Sequence, residues 1–255
     1  MRPTTFRPVL ALALVLTTAL SGCGSRDASS GGATTLTVFA AASLTGTFTE
    51  LGRVFEAENP GTTVRFNFGS SATLAQQIVQ GAPADVFAAA SPATMRTVTD
   101  ASLAAAPVTF VRNTLQIAVP VDNPAKVDGL KDLTGPGVKV ALCAVQVPCG
   151  AAAAKALDAA GLKVTPVTLE QDVKATLTKV ELGEVDAALV YRTDVIASGG
   201  GVRGIGFPEA GKAINDYPVA TLTKAPAPGL ARRFVDLVLS PRGRDVLTRA
   251  GFEAP

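Results

Sequence analysis

The sequence predicts an α/β protein of two lobes, each a helix-flanked and mainly parallel sheet, joined by two crossing strands as a hinge. Three observations predict it. Short apolar, strand-like runs alternate with segments of helical period, the pattern of successive βα units. The turns between them are built of small residues, as in AAAS, GSS and VPCG. Two alternating strands, Thr114–Val119 and Tyr217–Leu222, divide the series. With 255 residues, 47% of them hydrophobic, the chain can bury the cores of two such lobes.

The N-terminus reads as a targeting signal. Arg2 and Arg7 form a basic start, and Pro8 to Leu20 is an apolar run too short to span a bilayer comfortably. It ends in Leu20-Ser21-Gly22-Cys23, which resembles the lipobox of bacterial lipoproteins. The resemblance implies a signal peptide over 1–22, cleaved before Cys23, whose thiol is then diacylated. Residues 23–35, rich in Gly and Ser, make a flexible tether. The expected location is outside the cytoplasm, lipid-anchored to the outer face of the cytoplasmic membrane.

The first lobe is expected over 36–117 and 218–255, the second over 118–217. Leu36, Val38 and Phe39 begin a buried strand. After the three alanines comes Ser43, in the position of a helix N-cap, followed by the helical stripe Leu44, Phe48, Leu51 and Phe55. Asn59-Pro60-Gly61 is a turn and Thr63–Phe68 a strand. Gly69-Ser70-Ser71 then repeats the strand, hydroxyl-bearing turn and helix, with Leu74, Ile78 and Val79 as its stripe and Gly81 as its stop. Asp85–Ala90 is a strand and Met95–Leu103 a helix. Beyond Thr114–Val119 a second series runs through strand Val138–Cys143 and an Ala-rich helix opened by Val147-Pro148-Cys149-Gly150. Strand Val164–Leu169 follows, then a helix capped by Gln171 or Asp172 and carrying Val173, Leu177 and Val180. Strand Val185–Tyr191, the crossing strand and helices Leu230–Leu239 and Ser240–Ala250 complete the chain. Two lobes with two crossings put a cleft at the sheet ends, where ligands bind in such folds.

Composition narrows the chemistry. There is no His, which excludes His-based triads and His-ligated metals. Lys plus Arg (23) nearly balance Asp plus Glu (21), so nothing points to nucleic acid or a polybasic membrane surface. Without Trp, stacking platforms are not expected. Cys143 and Cys149 form an even pair in an exported chain and are expected to be a disulfide; C-x5-C without further ligands is a poor zinc site.

The Ser43 turn alone reads as a helix cap. A helix start with unpaired N–H donors also accepts an anion. Together AAASL, FGSSATLAQQI, GAPADVF, VPCGAAAAKAL, EQDVKATL and ALVYRTDV resemble the substrate-binding protein of bacterial molybdate ABC transporters, from about Leu36 to Phe252. The resemblance implies a type II periplasmic-binding-protein fold that closes on molybdate or tungstate and delivers it to a membrane permease, with no cofactor and no catalytic residue. It implies an oxyanion site of Ser43, Ser71, backbone N–H of Cys149 and Val173, and the Tyr191 hydroxyl, with molybdenum held only as its oxyanion. Ser70 is an alternative to Ser71, because the register of a two-serine turn is open. Cys149 stands where the family usually has alanine; a backbone donor survives that change. A monomer is expected.

Neutral donors suffice physically. Some six hydrogen bonds to a charged group at about 1.5–3 kcal/mol each give roughly 9–18 kcal/mol before desolvation and closure costs. The alternatives are a same-fold receptor for sulfate or thiosulfate, an enzyme using Tyr191 or a free Cys149, and a lipoprotein with an interaction role. Asp85 would repel an anion and is read as a turn or hinge residue. Arg192 and Asp194 are read as a solvated rim pair of little energetic weight.

Overall fold

The computed structural model describes residues 34–255. The expected signal segment, Cys23 and the tether up to residue 33 lie outside them. In chain order the elements are β1 (Thr34–Ala41), a 3-10 turn (Ala42–Leu44), α1 (Thr45–Glu58), β2 (Thr62–Gly69), α2 (Ser71–Val79), β3 (Val86–Ala88), α3 (Pro92–Asp100) and β4 (Val108–Asn113). A second series follows: β5 (Leu115–Val119), β6 (Val140–Cys143), α4 (Pro148–Ala159), β7 (Thr168–Glu170), α5 (Val173–Glu181), β8 (Ala187–Tyr191), α6 (Arg192–Ala197) and β9 (Arg203–Ile205). The chain then returns through β10 (Asn215–Thr221), α7 (Pro228–Leu239) and α8 (Pro241–Arg249).

These strands form two five-stranded sheets, ordered β2-β1-β3-β10-β4 and β7-β6-β8-β5-β9. Parallel pairs are those made within one βα series: β1 with β2 and β3, β6 with β7 and β8. Every antiparallel pair involves β10 or β5, the strands entered after a crossing. The sheets are therefore parallel on one half and antiparallel around the returning strand.

Several expected boundaries move. Thr34 and Thr35 belong to β1, not to the tether, because they pair with Thr62 and Thr63. Leu115 to Val119 pairs in the second sheet, so the first crossing falls at Thr114 rather than at 117/118. The return crossing precedes Asn215, whose register partner in β4 is Asn113. The strand expected over Val164–Leu169 shrinks to β7 because Pro166 has no N–H to give a ladder. Two strands escape sequence reading: β4 has one sparsely alternating turn of pattern, and β9 is three residues with a central glycine.

Alternation along β1 explains the packing of the first sheet. Leu36, Val38 and Ala40 face a core with Phe48, Phe55 and Phe234, while Phe39 faces the opposite layer with Leu74, Ile78, Met95 and Val98. Phe234 packs edge-on against both Phe48 and Phe55, so the C-terminal α7 closes the sheet begun by β1. The second sheet has one Ala- and Val-rich core reaching from Leu115 to Ala213. Small core residues let α4 and α5 approach their strands closely, which brings their N-termini to the sheet end. Among the described residues, no helix is long and apolar enough to cross a membrane.

Candidate functional site

A cavity enclosing about 230 Å³ of empty space, its mouth included, lies where the two sheets' ends meet. Its lining includes all five expected residues, Ser43, Ser71, Cys149, Val173 and Tyr191, together with Ser70 and Asp172. Ser43, Ser70 and Ser71 come from the first sheet's turns, the others from the second's. No Lys or Arg lines it.

Each donor is placed by a helix start. α2 begins at Ser71 after Ser70, and no side chain caps it. α4 begins at Pro148 after Val147, again without a side-chain cap, so the N–H groups of Cys149 and Gly150 have no acceptor within the helix. The α4 start is pressed on the preceding loop: a Cβ on Gly150 would lie 2.0 Å from the Ala144 carbonyl oxygen. Only glycine fits there. α5 is capped by Asp172, whose Oδ1 accepts from the N–H of Lys174 and Ala175 at 2.8 and 3.0 Å. That cap leaves the first N–H, that of Val173, as the donor at the cavity. By contrast α3 and α8, away from the cavity, are capped by Ser91 and Ser240.

The side chains add hydroxyls. Ser43 corrects the expectation that it caps α1: it sits inside the 3-10 turn, Leu44 holds the cap position, and the Ser43 Oγ meets the Tyr217 hydroxyl at 2.9 Å. Ser71 Oγ accepts from the Ala90 N–H at 3.0 Å. Ser70 Oγ is buried with no hydrogen-bond partner. Both serines of the two-serine turn therefore reach the cavity wall. Tyr191 ends β8, 1% exposed, and its hydroxyl accepts from Asn215 Nδ2 at 3.1 Å. Burial first, then Tyr217 and Asp194, push the Tyr191 hydroxyl well above the ordinary phenol range, so it keeps its proton. Tyr217 is raised in the same direction, again chiefly by burial.

Cys143 and Cys149 are joined by a disulfide. It ties the end of β6 to the start of α4. The Thr176 hydroxyl lies 3.2 Å from Cys143 Sγ and donates to the Asp172 carbonyl at 2.9 Å, linking the bridge to α5 as well.

Two sequence readings change. Asp194 is fully buried and is not a rim partner of Arg192, whose guanidinium donates to the Gly251 carbonyl at 3.3 Å. Asp194 Oδ2 instead accepts from the Tyr191 N–H at 3.3 Å, and Lys174 Nζ stands 3.3 Å from Oδ1 without hydrogen-bond alignment. Burial pushes the Asp194 carboxyl up to about 6, against the opposing pull of Lys174. Asp85 is a buried acceptor for the N–H groups of Thr37 and Ala227 at 2.8 and 2.6 Å, holding β1 to the start of α7.

Sequence reasoning passed over Asn113, Asn215 and Tyr217, which form the layer behind the cavity wall. Asn113 Nδ2 donates to Thr193 Oγ1 at 2.8 Å and to the Tyr217 hydroxyl at 3.4 Å. Asn215 Nδ2 donates to the Ala90 carbonyl at 2.7 Å as well as to Tyr191. The available signal was positional: both asparagines flank the crossings, and buried amides at strand ends need partners.

Residues 36–253 match the model of a family described as bacterial extracellular solute-binding protein. The chain is 42% identical over 248 residues to the molybdate-binding protein ModA of Mycobacterium tuberculosis, covering 94% of this chain and 95% of that one. The solved periplasmic molybdate-binding protein of Azotobacter vinelandii shares the fold with a TM-score of 0.74 at 22% identity, over 86% of this chain and 99% of that one. The sulfate-binding protein SubI of Mycobacterium tuberculosis shares it with a TM-score of 0.75 at 19% identity, over 87% of each chain. At these identities the two structures speak for the fold, a type II periplasmic-binding-protein architecture. The family match over nearly all described residues and the 42% relative go further: this chain belongs to the bacterial extracellular solute-binding proteins.

Proposed function

We propose that the chain binds molybdate or tungstate in this cavity, outside the cytoplasm, and delivers it to the permease of an ABC transporter. One observation carries the reading: the starts of α2, α4 and α5 and the residues Ser43, Ser70, Ser71 and Tyr191 line one cavity with no basic side chain. Convergent N–H and O–H donors hold a tetrahedral dianion without a countercharge. A relative 42% identical bears the name molybdate-binding, and one 30% identical in Bacillus subtilis is named a putative ABC transporter substrate-binding lipoprotein. In this reading Ser43, Ser71 and the adjoining Ser70, the N–H groups of Cys149 and Val173, and the Tyr191 hydroxyl bind the oxyanion. The protein acts as a carrier, not an enzyme, and molybdenum enters only as the oxyanion. Diacylated Cys23 anchors a monomer to the outer face of the cytoplasmic membrane, with 36–117 and 218–255 as one lobe and 118–217 as the other, to within the crossings described above.

Thermal unfolding with molybdate, tungstate, sulfate and phosphate in turn tests this. A ligand at 100 times its dissociation constant adds about 2.7 kcal/mol of stability. Stabilisation by molybdate and tungstate at micromolar concentration is the expected result. A shift with sulfate alone would transfer the site to a different oxyanion.

A further inference from the structure

We infer that Asn113, Asn215 and Tyr217 are positioning residues that set the direction of hydroxyl protons at the cavity, so that Ser43 and Tyr191 present hydrogens to the ligand. The inference rests on the oxyanion reading above and explains how the site would distinguish a fully deprotonated ion from one that carries a proton.

The backbone dictates the orientation of two side-chain amides. Asn113 Oδ1 accepts from the Thr114 N–H at 3.1 Å, so its NH2 group must face the other way, toward Thr193 and Tyr217. Asn215 places its NH2 group on the Ala90 carbonyl at 2.7 Å, a partner that can only accept. An amide NH2 donates and does not accept. The Tyr217 and Tyr191 hydroxyls each receive a hydrogen from one of these amides, which leaves their own hydrogens to donate elsewhere. Tyr217 stands 2.9 Å from Ser43 Oγ, a bond that either hydroxyl can donate; with Asn113 donating to Tyr217, the inferred direction is from Tyr217 to Ser43. Ser43, having accepted, has its own hydrogen free for the cavity it lines. Tyr191 lines the cavity directly, and the inferred direction of its hydrogen is into the cavity, in competition with the neighbouring Tyr217 hydroxyl. Ser71 follows the same rule, since its oxygen accepts from the Ala90 N–H at 3.0 Å and its hydrogen is left over.

Three hydroxyls thus have an upstream donor, and for Ser43 and Tyr191 the chain begins at an asparagine. The two asparagines are register partners in the ladder between β4 and β10, beside the crossings. Thr193, on the other end of the Asn113 amide, belongs to α6 and the second sheet's side. The same hydrogen-bond chains therefore run through the hinge and hold both sides of the cleft while orienting the site. Hydroxyls at Ser43, Ser71 and Tyr191 turned this way leave Ser70 and Asp172 as the lining side chains able to accept the proton of hydrogen phosphate or hydrogen arsenate, and an unmatched buried donor is disfavoured.

Asn113→Asp tests the direction. The carboxylate keeps the Thr114 N–H but must accept where the amide donated, so Tyr217 turns toward it and Ser43 turns toward Tyr217. A lone pair then faces the ligand. Tyr217→Phe breaks the same chain without adding charge and keeps the ring packed on Tyr191 and Phe252. Calorimetric titration with molybdate, and competition by arsenate at neutral pH, read both variants after their thermal unfolding shows them folded. Asn113→Asp is expected to weaken molybdate about tenfold to a hundredfold and to narrow the molybdate-to-arsenate ratio by about tenfold. Tyr217→Phe is expected to weaken molybdate less, with the ratio narrowed in the same direction. The added carboxylate of Asn113→Asp repels a dianion more than the monoanionic fraction of arsenate, so the uncharged Tyr217→Phe decides: a merely structural effect there would weaken both ions alike. An unchanged ratio in Tyr217→Phe, with wild-type protein binding molybdate, overturns the inference and leaves the proposed function standing. Wild-type protein that binds no tetrahedral oxyanion overturns both.

Discussion

At Ser43 one hydroxyl meets a tyrosine behind it and the cavity in front, and neither contact concerns the cap expected of it. Ser43→Ala removes a donor to a charged ligand and is expected to weaken molybdate by about tenfold or more, with a thermal midpoint close to wild type in its absence. Tyr191→Phe is expected to act likewise, and titration calorimetry measures both. Asp194 makes a prediction of opposite kind. Its folded pKa of about 6 lies above the ordinary value of 3.8, so the folded state holds the proton more tightly than the unfolded one. Its contribution to stability is therefore greatest below pH 4 and is lost as pH rises through 6, amounting to about 3 kcal/mol. Denaturant unfolding between pH 4 and pH 7 should show that slope reduced in Asp194→Asn. Arg192 and Asp194 misled as a pair because residues two apart on a helix do not face each other; Asp194 instead turns inward to Tyr191 and Lys174.

At the scale of elements the site is a set of helix starts, and their quality depends on what holds them. The α4 start is held twice, by the disulfide from Cys149 to Cys143 and by the close approach of Gly150 to Ala144. Gly150→Ala must move the α4 start away from the loop, carrying the Cys149 N–H from the cavity; molybdate affinity is expected to fall at least about tenfold. Reducing the disulfide releases a short loop and is expected to cost about 2–3 kcal/mol of stability, read as a lowered denaturation midpoint on adding a thiol. Because the bridge also reaches α5 through Thr176, the reduced protein should bind molybdate more weakly as well as unfold sooner. Most elements were legible beforehand where periodicity and small-residue turns agreed, as for α1, α2 and α4. The strands β4 and β9 were not: one is an edge strand whose Val108 is exposed, the other too short to show a period.

For the whole molecule, two lobes and a double crossing could be read from the order of strands and helices, and so could the five cavity residues, through a resemblance carried by several turns at once. The layer behind them could not. Asn113, Asn215 and Tyr217 are single polar residues at strand ends, and their roles depend on a register between β4 and β10 that no local pattern encodes. That register brings residues about a hundred positions apart into one network, as Asn113 and Tyr217 show. Under the proposed function, stabilisation should rise with the logarithm of molybdate concentration, by about 1.4 kcal/mol per decade above saturation. The most direct test of the central claim is anomalous diffraction at the molybdenum edge from crystals grown with molybdate. One strong peak is expected in the cavity, within hydrogen-bonded reach of Ser43, Ser71, the Cys149 and Val173 N–H groups and Tyr191. A fully occupied peak elsewhere, or an empty cavity at saturating molybdate, would contradict it.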